Sequence, residues 1–171
     1  FKFKLKRQLH TIKYSVEHEN LIPNYFFLIP EFILSAPKKI KSSAGFDAYA
    51  QAIESLLSMK SNEFSIEFAV ESLKKINSSL VKYYENPNLE NSLILAQGAN
   101  LAGRAIAISK TTLPHAVSYP FTAHYGISHG QAVSITFNEF LKYNYENKDK
   151  SLSKFNLEDR YKILFKLTNT Q

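Results

Sequence analysis

The sequence predicts a mainly α-helical bundle preceded by a few short strands. Three observations carry that prediction. The 171 residues are 44% apolar and 13% aromatic, enough to bury one core. Period-2 alternation is confined to the first forty residues, and beyond residue 39 apolar positions recur at helical spacing between Pro and Gly punctuation.

The elements follow in order. Phe1, Lys2, Phe3, Lys4, Leu5 and Lys6 alternate as a half-buried strand does, and residues 11–16 and 25–28 are two further strand candidates around a polar turn at His18, Glu19 and Asn20. After Pro37 and the cluster Lys38, Lys39 and Lys41, Ser42 and Ser43 offer N-cap hydroxyls for a helix over 44–59, with Phe46, Ala50, Ile53 and Leu57 at helical spacing. A second helix is predicted over 63–84, carrying Phe64, Phe68, Val70, Leu73, Ile76 and Leu80. Pro87 suits the first turn of a third, which runs through Ile106. Pro114 precedes a fourth from His115, which Gly126 ends. Residues 130–144 and 156–168 complete the set, and the strand-rich part is placed at 1–39 and the helical part at 40–171.

Composition narrows the function. No cysteine is present, so disulfides, thiolate ligands and a thiol nucleophile are excluded, and a reducing cytoplasm is the expected setting. The most apolar run, residues 24–34, is broken by Pro30 and Glu31 and falls well short of the roughly 20 residues a membrane span requires. The net charge of +6 is mostly scattered lysine, with only Arg7, Arg104 and Arg160 to make forked phosphate contacts. Neither a nucleic-acid nor a membrane partner is expected.

Three of the five histidines fall in residues 111–130. His115 and His129 are 14 apart on either side of Gly126, so they can converge from successive helices. The spacing alone, however, favours two structural imidazoles. His124 lacks such a partner, and His10 and His18 read as surface residues. Asp47 and Gln51, four apart, share one helical face that Glu54 continues. Taken alone, that stretch reads as an Asp near a helix N-terminus, with Gln51 and Glu54 solvated. Asp47, His115 and His129 together make a carboxylate and two imidazoles, a set suited to Fe2+ or Zn2+ with a position open for substrate.

The segments SAGFDAYAQAIES (43–55), NLAGRAIAISKTT (100–112) and HAVSYPFTAHYGISHGQAV (115–133) resemble the helical domain of the iron-containing, group III alcohol dehydrogenase family, over roughly residues 20–145. The resemblance implies a dehydroquinate synthase-like helical domain with metal ligands at Asp47, His115 and His129. The fourth ligand position is Gln51, where the usual member has His, so the amide supplies either a weak oxygen contact or a hydrogen bond to a ligand. Tyr119 stands where several members have a further active-site His, and Thr111 and Thr112 line the substrate pocket or cap backbone groups. Lys110 and Arg104 are candidates to meet an anionic substrate. The local wording is most similar to the branch that includes phosphonoacetaldehyde reductases.

That resemblance implies NAD(P)H as the second cofactor of the full-length protein, an aldehyde or alcohol substrate (a phosphonate-bearing one included) and a homo-oligomer. The five glycines are too dispersed for a phosphate-binding turn. Residues 1–39 are therefore expected to be the last strands of a nucleotide-binding domain, 40–171 an incomplete helical domain, and the isolated piece inactive. A metal-free assembly module, and a dehydroquinate synthase or glycerol dehydrogenase-like enzyme, are the alternatives.

Overall fold

The computed structural model describes residue 16 and residues 18–169. Seven α-helices are found there: α1 (Glu31–Leu34), α2 (Lys38–Leu57), α3 (Glu63–Glu85), α4 (Leu89–Ser109), α5 (Leu113–Tyr125), α6 (His129–Glu146) and α7 (Leu157–Thr168). Two single 3₁₀ turns, Glu19–Leu21 and Lys148–Lys150, complete the regular structure. Among the described residues, no helix is long and apolar enough to cross a membrane.

α2 is the centre of the bundle and packs against α3, α4, α6 and α7. Ala48, Ala50, Ala52, Ile53 and Leu56 are buried on several of its faces, which is why its apolar pattern is weakly one-sided. The alanines keep the helix narrow, so four neighbours can reach it. α3 and α4 begin with reciprocal caps. Asn62 accepts from the Ser65 N–H while Ser65 Oγ accepts from the Asn62 N–H, and Asn88 and Asn91 repeat the arrangement. Each pair satisfies two backbone donors that a helix start otherwise leaves unpaired. α3 then contributes Leu73 and Ile76 to the core, and α7 closes it with Tyr161 and Leu164.

Several expectations need correction. Residues 25–28 form no strand: they lie in irregular backbone with Tyr25 and Phe27 exposed, and among the described residues no strand is available to pair with them. Residues 1–6 and 11–15 lie outside the described residues. Ser42 and Ser43 do not cap α2. Pro37 has extended geometry (φ −57°, ψ 147°) and its carbonyl accepts from Ile40 and Lys41, so the helix starts six residues before the expected position. Ser42 instead donates to the Lys39 carbonyl. Pro87 precedes the N-cap Asn88 rather than entering the first turn. Phe64 faces solvent, whereas Leu73 and Ile76 of the same helix are buried.

Lys41, read from sequence as part of a basic cluster, is buried. Its ammonium donates to the Leu34 carbonyl at 2.9 Å and lies 4.8 Å from the centre of the Tyr83 ring, while Tyr83 donates to the Ile33 carbonyl. These contacts hold α1 onto the bundle.

Candidate metal centre

Three elements meet at the site. Asp47 and Gln51 stand one turn apart on α2, His115 in the first turn of α5, and His129 is the first residue of α6. Pro114 pre-sets the backbone just before His115. Gly126 ends α5 in the left-handed conformation (φ +66°, ψ 16°), which only glycine adopts without cost, and the chain turns back into α6. The two rings that are 14 residues apart in sequence thereby come to 5.3 Å between centroids.

Asp47, His115 and His129 each offer a ligand atom within 4.8 Å of the others. Asp47 Oδ1 lies 3.2 Å from His115 Nε2 and 3.5 Å from His129 Nε2. Bond lengths of about 2.0–2.2 Å at tetrahedral angles place neighbouring ligand atoms roughly 3.3–3.6 Å apart, so these separations suit one shared divalent ion. Asp47 Oδ1 and His115 Nε2 are buried without completing a hydrogen bond, the 3.2 Å between them lacking its alignment. Such buried, unsatisfied atoms are costly unless something binds them. One carboxylate and two imidazoles suit Fe2+ or Zn2+.

Gln51 donates its amide N–H to Asp47 Oδ2 at 2.9 Å, leaving Oδ1 on the side of the imidazoles. Tyr119 stacks its ring on His129, with centroids 6.0 Å apart and planes 22° from parallel. Ser118, buried, donates to the His115 carbonyl at 2.6 Å and lies 3.4 Å from His129 Nδ1. His129 itself remains 30% exposed, so the cluster is closed on the His115 side and open on the His129 side.

Glu54 departs most from its sequence reading. Far from solvated, it is 2% exposed, with Oε1 2.5 Å from His115 Nδ1 and Oε2 accepting from the Thr112 N–H and hydroxyl at 2.5 and 2.8 Å. The signal was its spacing: seven residues after Asp47 is two helical turns, which returns Glu54 to the same face. Burial by itself lowers the His115 pKa, but the flanking Asp47 and Glu54 carboxylates outweigh it and raise it from 6.5 to about 9. The reading of Asp47 as a helix-start aspartate also falls, because α2 begins nine residues earlier.

The remaining candidates are more scattered. Thr112 gives its hydroxyl to Glu54 rather than to a helix cap. Thr111 is half-buried in the same α4–α5 connection. Lys110 opens that connection with φ +60° and ψ 172°, a conformation used almost only by glycine. Arg104 lays its guanidinium over Phe68, 4.0 Å from the ring centre, on the α3–α4 side. His124 is exposed at the end of α5, outside the cluster. His18 is also exposed and accepts from the Asn20 N–H. His10 lies outside the described residues.

Comparison with known proteins places the chain in a family. Residues 41–165 match the Fe-containing alcohol dehydrogenase family, C-terminal. The chain is 29% identical over 137 residues to a phosphonoacetaldehyde reductase of Streptomyces viridochromogenes, covering 80% of this chain and 35% of that protein. It is 32% identical over 148 residues to a 4-hydroxybutyrate dehydrogenase of Clostridium kluyveri, covering 83% of this chain and 38% of that one. In three dimensions it superposes on an iron-containing alcohol dehydrogenase of Thermotoga maritima with a TM-score of 0.73 at 31% identity, over 87% of this chain and 41% of the other. It also superposes on a sulfoacetaldehyde reductase of Bifidobacterium kashiwanohense solved with NAD+, with a TM-score of 0.66 at 28% identity, over 82% and 39%. The chain thus spans little more than a third of the length of these two curated relatives. With about three-quarters of its residues inside the family match, the chain belongs to the Fe-containing alcohol dehydrogenase family, in the C-terminal part.

Proposed function

We propose that this chain is the metal-holding helical part of an NAD(P)-linked alcohol dehydrogenase or aldehyde reductase, with Fe2+ or Zn2+ held by Asp47, His115 and His129. One observation carries the reading: the buried Asp47 Oδ1 and His115 Nε2 complete no hydrogen bond and face a third donor, His129, across ligand-to-ligand distances. The ion supplies Lewis acidity that draws electron density from a carbonyl oxygen.

The chain's own residues do the rest. Asp47 sets one negative charge against two imidazoles, and Gln51 keeps its other oxygen occupied. His129 and the Tyr119 ring stacked on it form the open flank through which substrate enters. A nicotinamide cofactor, brought by a dinucleotide-binding domain, would supply or accept the hydride. For the substrate we favour a short aldehyde with an anionic tail. Support comes from the named substrates of the phosphonoacetaldehyde and sulfoacetaldehyde reductases and the 4-hydroxybutyrate dehydrogenase.

The test is metal content together with NAD(P)H oxidation by the intact protein, using phosphonoacetaldehyde, sulfoacetaldehyde and a neutral aldehyde of the same length. A chelator should remove activity, and Fe2+ or Zn2+ should restore it. Turnover without bound divalent metal would overturn the proposal.

A further inference from the structure

We infer that Glu54 is a positioning residue that holds the His115 ring with its Nε2 lone pair toward the metal position and ties that orientation to the α4–α5 connection through Thr112. The inference rests on the metal reading above.

Three donors from α5 and its approach converge on this one carboxylate of α2: His115 Nδ1 at 2.5 Å, the Thr112 N–H at 2.5 Å and the Thr112 hydroxyl at 2.8 Å. Glu54 is 2% exposed, so water cannot substitute for them. A buried carboxylate accepts and cannot donate, so a neutral His115 ring must carry its proton on Nδ1. The other nitrogen, Nε2, is then an acceptor. Nε2 is also the atom that lies 3.2 Å from Asp47 Oδ1. The ring's tautomer and direction are thus set from the side opposite the ligands.

Thr112 makes the arrangement cooperative. It follows Lys110, whose left-handed backbone redirects the chain between α4 and α5. Both bonds from Thr112 to Glu54 fix where α5 starts, three residues before the imidazole. Glutamine is nearly the same size but offers one acceptor oxygen and one donor amide, so it cannot receive all three donors.

The experiment is chelator-competed Zn2+ binding to the intact protein, in wild type, Glu54→Gln, His115→Ala and the double variant. Glu54→Gln should weaken binding by about 10–100-fold. In the His115→Ala background, the same change should add less than about threefold, because its effect passes through the missing ring. A purely structural role would give equal losses in both backgrounds and would overturn the inference, as would wild-type affinity in Glu54→Gln. Wild-type zinc binding that is insensitive to Glu54→Gln sinks this inference alone, whereas no zinc binding by wild type sinks the metal reading with it. Should Glu54→Gln fail to fold, 15N-histidine NMR of zinc-loaded wild type decides: His115 must be protonated at Nδ1, and a proton on Nε2 overturns the inference.

Discussion

Gly130 lies so close to Ser43 that a Cβ on the glycine would stand 1.8 Å from the Ser43 carbonyl oxygen, and 3.1 Å from the Cβ of Asp47. The first turn of α6 therefore rests directly on the backbone of α2. His129, one residue earlier, reaches Asp47 because of that contact.

Gly130→Ala should accordingly separate the two helices. An added methyl against backbone has nowhere to go, so a loss of about 1–3 kcal/mol is expected, together with weaker metal binding as His129 moves off Asp47. Urea denaturation and zinc content of the same variant measure both. Gly103→Ala is the control. It adds a methyl within α4 where nothing lies within 4 Å, and should be neutral or stabilising by about 0.5–1 kcal/mol. If both alanines behave alike, the close approach does not matter.

The histidines should separate cleanly by metal content. His115→Ala and His129→Ala each remove a nitrogen from the cluster and should leave little bound iron or zinc, whereas His124→Ala, exposed and outside it, should retain the wild-type amount. Emission spectrometry on the purified variants reads this directly. Similar retention in all three would place the ion elsewhere.

Much of this is legible in the amino-acid sequence. The helices α3 and α7 were placed within a residue or so because Asn caps and apolar spacing agree locally. That His115 and His129 can converge was readable from the glycine-ended turn between them, whereas the arrival of Asp47, 68 residues before His115, was implied by the family resemblance. Glu54 was misjudged because its partners lie in the α4–α5 connection and α5, fifty or more residues away, and because the helix start is set by Pro37 rather than Ser42 or Ser43. The strand expected over 25–28 failed for a related reason: alternation describes a face, and a face becomes a strand only when another strand pairs with it.

The proton and the metal compete for His115, and the sign of that competition is fixed. In metal-free protein its folded pKa is raised from 6.5 to about 9. The stability this confers is fully present below 6.5 and is lost as pH rises through about 9. An ion must displace that proton, so metal stabilises least at low pH. Thermal unfolding with EDTA and with buffered Zn2+, at pH 6.5 and 9, should show the metal-free midpoint falling while the gap to the metal-loaded protein widens. A gap that narrows with rising pH would contradict the assignment.

Gln51 gives the sharpest test of the site. Its amide N–H is engaged with Asp47 Oδ2 at 2.9 Å, so in this arrangement it steers a ligand instead of acting as one. A histidine one turn after Asp47 would stand on the same face, with a nitrogen within reach of the same ion and no change in formal charge. Imidazole nitrogen is a better donor to Zn2+ or Fe2+ than an amide oxygen, so Gln51→His should tighten binding by about tenfold or more. Gln51→Ala should move the other way, since Asp47 loses the partner that holds its second oxygen. An extra nitrogen also donates more charge to the ion, so tighter binding should come with weaker polarisation of the substrate and a lower kcat in the active protein. Chelator competition on the three proteins, followed by their rates at saturating aldehyde, separates the two roles. Affinity unchanged in Gln51→His but reduced in Gln51→Ala would mean that residue 51 only orients Asp47. Affinity unchanged in both would place it outside the site.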